Sequence, residues 1–184
     1  MIEVSSVPTG LRVADALVKA AVVVIRMQRA LSPARYLVHF TGEVEAVASA
    51  LAAGEEVAGS RLVGRLFLPD PHPALGKALG GRYDQAEVDA LGIVETATVC
   101  AALHSLDHAL KEDEVRLLEL RLAMGLAGHG YYAVTGEVSA VECALDRARR
   151  EAGAAVVDCA VIPHPDPAMV AAMKAAPSPF SDLP

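Results

Sequence analysis

The chain contains the same unit twice. Aligning VADALVK (13–19) with SLDHALK (105–111) brings Asp15 onto Asp107 and Lys19 onto Lys111, a separation of 92 residues. Glu3 falls on Glu95 at the same separation. Further on, TGEVEAVASAL (41–51) falls on TGEVSAVECAL (135–145), and AGSRLVGRLFLPDPHP (58–73) on AGAAVVDCAVIPHPDP (152–167), both now at 94. Two residues have been gained between, close to the glycine-rich stretch GLAGHG, Gly125 to Gly130. Surface loops tolerate such insertions best. A self-similar chain must fold into something that can be built twice, and that constraint precedes any local reading.

Each copy has one element order. A short strand opens it, at 2–5 and 92–96, and a helix follows. Leu11, Ala14, Leu17, Val18 and Ala21 share one helical face, as do Val99, Leu103, Leu106 and Leu110. Two strands come next, VVVIRMQ with YLVHF in copy one and VRLLEL with YYAV in copy two. Gly42 and Gly136 end these hairpins, and a helix begins at Glu43 or Glu137, where a carboxylate complements the helix dipole. A fourth strand, RLVGRLFL or AVVDCAVI, stops at Pro69 or Pro163, and a short helix closes the copy near 73–79 or 167–176. The order β-α-β-β-α-β-α predicts an α+β fold, an antiparallel sheet with helices on one face. The predicted divisions are a first domain at 1–79, a polar linker at 80–90, a second domain at 91–176 and a flexible, proline-rich tail at 177–184.

Composition removes several classes of function. A formal charge of −7 without a Lys/Arg cluster argues against nucleic acid. No apolar run has the length of a membrane span, and the start lacks a signal peptide's basic and apolar regions. The chain is 53% hydrophobic with no Trp, so its core must be Ala, Val and Leu, and it has apolar surface to bury between subunits. Cys100, Cys143 and Cys159 match no zinc spacing and read as buried, inert thiols.

GLAGHG invites a phosphate-loop reading, which fails. Tyr131 and Tyr132 stand where a P-loop needs Lys and Ser or Thr. The loop leads into a strand, whereas a phosphate loop leads into a helix N-terminus. His104 and His108, four apart on a helix, have zinc-ligand spacing but lack the Glu of a metalloprotease motif. Copy one offers Arg12 and Ala16 there, so the two histidines read as polar residues on the solvent-facing side of the helix. Asp70 with His72, and His164 with Asp166, read as strand-ending turns whose prolines point neighbouring side chains apart.

LGIVETATVCAALHSLDHALK, the glycine-rich loop, VTGEVSAVECAL and AVIPHPDP together resemble the shell-protein domain of bacterial microcompartments. The likeness covers copy two throughout and copy one more weakly. Two unpermuted domains in one chain resemble the tandem class of that family, which implies a single-layer homotrimer with a hexamer's outline. It also implies other shell proteins as partners, hexameric and pentameric tiles, together with encapsulated enzymes, and a location in a cytoplasmic compartment shell. The family places its hairpin loops around a central pore. Here that implies a lining of Leu31, Ser32 and Pro33 alternating with Leu126, Ala127 and Gly128, and passage of small polar metabolites. One tandem member carries a cysteine at the apex of its first loop, where three copies hold an iron–sulfur cluster. This chain has Ser32, a poor ligand for such a cluster, so no metal and no cofactor are expected. The family's edge lysine corresponds to Lys19 and Lys111, and its edge arginine to Asp70 and His164, so tile docking here has different chemistry. Two other readings remain open: a trimeric small-ligand sensor, and an enzyme with sites at subunit interfaces.

Overall fold

Both copies fold as the repeat requires. In the computed structural model, which describes residues 1–83, 86–112, 114–123 and 125–175, the first copy comprises β1 (Ile2–Val4), α1 (Val7–Ala20), β2 (Val24–Leu31), β3 (Arg35–Thr41), α2 (Val44–Ala58), β4 (Leu62–Arg65) and α3 (Pro73–Leu79). The second comprises β5 (Ala90–Thr96), α4 (Val99–Glu112), β6 (Arg116–Leu122), β7 (Gly130–Gly136), α5 (Val138–Ala152), β8 (Val156–Pro163) and α6 (Pro167–Ala175). Each sheet is antiparallel with its first strand inside, in the order β2-β3-β1-β4 and β6-β7-β5-β8. The tail from 177 onward lies outside the described residues.

Strand pairing shows where the two extra residues went. Leu31 pairs with Arg35 across the first hairpin. In the second, the Ala123 N–H donates to the His129 carbonyl at 2.7 Å, so the longer connection lies wholly in the loop. That loop joins strand to strand, as its sequence demands.

Glu43 and Glu137 sit at the N-caps of α2 and α5. Gly59 and Gly153 end the same helices with φ of 49° and 52°, a left-handed conformation that disfavours a side chain. Ile2, Val4, Val13, Leu17, Val38 and Leu51 form the core between the first sheet and α1/α2. Leu11 and Val18 do not join it. Their repeat positions in copy two, Leu103 and Leu110, belong to a larger core in which Leu31, Leu66, Leu75 and Ala78 of copy one take part. The face read as one apolar stripe therefore serves two purposes, and the second is contact between copies. α3 also departs from its own sheet to pack against α4 and β6 of the second copy.

One pair of positions shows how the copies diverged while keeping a common fold. Gly10 on α1 faces Tyr36 on β3, and a Cβ at Gly10 would lie 2.2 Å from the Tyr36 ring and 2.6 Å from its Cβ. In copy two the helix carries Ala102 and the strand Gly130, where a Cβ would lie 2.8 Å from that of Ala102. The bulk has changed sides. Gly10→Ala should therefore destabilise the chain by about 1–3 kcal/mol through overpacking, although the same change in an open helix gains about 1 kcal/mol. Urea denaturation of the variant measures this, and a gain in stability would contradict the packing described.

Candidate functional site

The two copies meet along a seam built from α4 of the second and from β1, β4 and α3 of the first. Strand alternation sends Ile2 and Val4 into the first core and leaves Glu3 on the opposite side. Glu3 is fully buried. Its Oε1 accepts from Arg35 Nη1 at 2.7 Å, and its Oε2 accepts from the Val99 N–H, the first residue of α4, at 3.1 Å. The carboxylate of copy one thus meets the positive end of a helix in copy two. Burial pushes its pKa up, while Arg35 and the N–H groups of Val99 and Cys100 favour the ionised form. Arg35 Nη1 also donates to the carbonyls of Ala97 and Gly128, each at 3.1 Å. A single guanidinium therefore joins β1, the turn before α4 and the tip of the second hairpin. Gly128, at φ 87°, is required there, because a Cβ would lie 2.9 Å from the guanidinium carbon.

The seam continues along α4, whose 14 residues span about 20 Å. Cys100 lies against Gly64 of β4, where a Cβ would approach its own Cβ to 3.1 Å. Burial, reinforced by Glu3, pushes the Cys100 thiol up to about 12, so it stays protonated and unreactive. Cys143 is exposed on α5, and Cys159 packs against the core only in part, against the expectation of three buried thiols. At the far end of α4, Lys111 Nζ donates to the Asp70 carbonyl and pairs with Asp107 at 2.8 Å. Asp107 is buried and also accepts from the His72 N–H at 2.6 Å. A cavity of about 360 Å³ opens on the sheet side of the seam, lined by Met27, Leu31, Leu37, His39 and Leu122 among others. Burial first, then the charges of the amino terminus and Arg26, lowers the His39 pKa to about 4, so this imidazole is neutral at pH 7.

The residues singled out for a pore lie at one end of this seam and those for an edge at the other or on free surfaces. Ser32, Pro33 and Ala127 are exposed on the hairpin tips and Leu126 is half-buried. Gly128 is covered by Arg35. Leu31 is a correction: the last residue of β2 turns inward, and its side chain packs in the core and against the cavity instead of standing free at the tip. Lys111 and Asp70 meet within the chain, whereas Lys19 pairs with Asp15 at 2.6 Å and His164 with Asp89 at 3.0 Å on exposed surface. Sequence reasoning paired Glu3 with Glu95 but assigned them no role. The available signal was the second register shift, which sets His129 on Arg35.

Comparison with known proteins gives this architecture a family. The BMC domain matches twice, over residues 1–71 and 90–165. The chain belongs to the BMC-domain family of bacterial microcompartment shell proteins. It is 34% identical over 171 residues to the shell protein PduT of Citrobacter freundii, across 92% of this chain and 93% of that one. A crystal structure of a microcompartment protein from Desulfitobacterium hafniense superimposes with a TM-score of 0.77 at 32% identity, covering 91% and 94% of the two chains. A fused permuted hexameric shell protein of the RMM microcompartment shares the fold at a TM-score of 0.61 and 20% identity, over 82% and 80%.

The protein is thus structural, a component of a microcompartment shell, where proteins of this family assemble into facets with other shell proteins. Its family is not catalytic, which closes the enzyme reading. Among the described residues no helix is long and apolar enough to cross a membrane. For such a protein the seam is the functional element, since it fixes one domain against the next. Arg35→Ala strands the buried Glu3 carboxylate and should cost about 3–5 kcal/mol in urea denaturation, with Glu3→Gln/Arg35→Ala costing less because no charge is stranded. A single-variant effect below about 0.5 kcal/mol would show that the pair does not organise the seam.

Proposed function

We propose that this shell protein is a facet tile, a homotrimer of six domains around a narrow central pore that passes small polar metabolites. Support comes from the edges of the chain. The apolar residues left exposed there are the repeat counterparts of those buried at the seam. Val7, Leu11 and Val18 on α1 are 39%, 51% and 48% exposed, while Val99, Leu103 and Leu110 on α4 are 0%, 1% and 7% exposed. On the opposite edge, Met169 of α6 is 38% exposed and its counterpart Leu75 of α3 only 3%.

The polar groups repeat in the same way. Glu95 and His129, 2.6 Å apart, occupy the positions of Glu3 and Arg35. The N-cap Ser6 of α1 makes no side-chain capping bond, so Val7 presents a helix start to a second carboxylate as Val99 does to Glu3. Asp15 and Lys19 repeat Asp107 and Lys111, and His164 and Asp166 repeat Asp70 and His72. Each chain therefore carries one complete seam and the two halves of another, on opposite edges. A head-to-tail contact of this kind either closes a ring or runs on as a filament. With two domains per chain, a six-domain ring closes with three chains.

In that ring the inner end of every seam brings hairpin tips to the axis. Ser32, Pro33, Leu126 and Ala127 face the opening, where the Ser32 hydroxyl and main-chain groups replace part of a polar solute's hydration and Leu126 narrows the path. The outer ends, with Lys19, Lys111, Asp70 and His164, form the rim that meets other tiles. The shell itself encloses enzymes within the cytoplasm.

Sedimentation equilibrium should give a mass three times that of the 19.1 kDa chain. Leu11→Asp, at an exposed position, should give folded monomers. A wild-type monomer, or a Leu11→Asp variant that assembles normally, would defeat the ring. Leu126→Ala should raise solute flux through reconstituted shells, and an unchanged flux would remove Leu126 from the lining.

A further inference from the structure

The two histidines of α4 acquire a third partner in three dimensions. His104 and His108 are one turn apart, and their rings meet edge to face with centroids 4.9 Å apart at 71°. Glu151, in the last turn of α5, places Oε2 3.7 Å from His108 Nε2. One donor atom from each of the three lies within 4.8 Å of the other two. α4 and α5 pack along their length, so the backbones beneath this set are fixed by the core. The side chains themselves are only partly buried and keep rotamer freedom. A tetrahedral ion with bonds near 2.0–2.1 Å needs donors roughly 3.4 Å apart, so side-chain closure of up to about 1.4 Å completes the geometry.

We propose that His104, His108 and Glu151 form a binding site for a divalent late transition-metal ion of the zinc type. Two imidazoles and a carboxylate are borderline-to-hard donors that suit such an ion and leave one position for water. The Glu151 carboxylate supplies the compensating charge. His104 and Glu151 line a cleft of about 420 Å³ facing β4 of the first copy, so the open position looks into the seam. Arg65, the cation in that lining, is engaged by Glu55 at 3.1 Å, which reduces its opposition to a bound ion. Copy one carries Arg12 and Ala16 at the histidine positions, so the site occurs once per chain. The contact proposed between chains uses α1, β8 and α6, and the site does not depend on it. The expectation of no metal is thereby revised, for a reason invisible to local spacing: the third ligand stands 43 positions after His108, on another helix.

The test uses the full-length chain without an affinity tag, stripped with chelator and titrated with ZnCl₂ in a calorimeter at pH 7.5. One ion per chain is expected, and Co²⁺ should give a tetrahedral visible spectrum without a thiolate band. His104→Ala, His108→Ala and Glu151→Gln should each weaken Zn²⁺ binding by roughly a hundredfold or more, since even residues that only support ligands contribute 10–100-fold. Zn²⁺ should raise the melting temperature of the wild type and not of these variants. Circular dichroism of the metal-free variants establishes that they are folded, and a variant that is not is replaced by His104→Gln or His108→Gln. No measurable binding, equal binding by the folded variants, or binding abolished by Cys143→Ser would overturn the site.

Discussion

A carboxylate with no exposure to water is the constraint around which the two domains are arranged. Glu3 sits on a central strand, and its own domain supplies one counter-charge, Arg35. Its second oxygen is satisfied by the first turn of α4, in the other domain. Leaving a buried charge half-paired is expensive, so the position of α4 over β1 follows from the chemistry of a single side chain. The same guanidinium grips the Gly128 carbonyl, which sets the second hairpin tip beside the first. From that point the seam runs the length of α4 to Lys111, and the third helix of copy one closes over it. The relative placement of the tips at one end and the lysine at the other is therefore a consequence of helix length and of one ion pair.

The repeat made the architecture legible. Element order, both hairpins, the starts of α2 and α5 to within one residue and the closing helices could be read because each signal occurred twice in matching positions. The departures have physical origins that local sequence does not carry. Leu11 and Val18 were placed on one helical face with Ala14 and Leu17, and period alone cannot distinguish burial within a domain from burial between domains. Their counterparts on α4 are buried, so the periodicity was sound and only the partner was missing. Leu31 was assigned to a loop tip from its neighbours in sequence, whereas strand alternation turned it inward.

Polar roles were less legible because they depend on distance across elements. The Glu3–Glu95 match was visible, but a capping contact that spans 96 residues is not encoded in any local window. His129 falls opposite Arg35 only after the two-residue insertion is taken into account. Glu151 has no sequence relation to His104 and His108 at all, and helix packing alone brings it within reach. The interchange of Gly10 and Tyr36 with Ala102 and Gly130 is the intermediate case. Each pair looks unremarkable singly, and the compensation is seen only when helix and strand are superposed across the repeat.

Joining two domains in one chain permits the two seams to differ. A hexamer of single domains must use one sequence for all six contacts, whereas a tandem chain writes each kind separately. The seam within the chain forms at high effective concentration and is built on a part-buried Arg35, whose loss would leave the buried Glu3 carboxylate without its counter-charge. The counterpart position holds His129, a smaller side chain with fewer donors than a guanidinium, beside a Glu95 that is still half-exposed in the single chain. On the trimer reading this makes the contact between chains the weaker one, assembled after each chain has folded around its own seam. On that same reading duplication separates folding from assembly: the charged contact lies inside the polypeptide, and the contact with neighbouring chains is left to its edges.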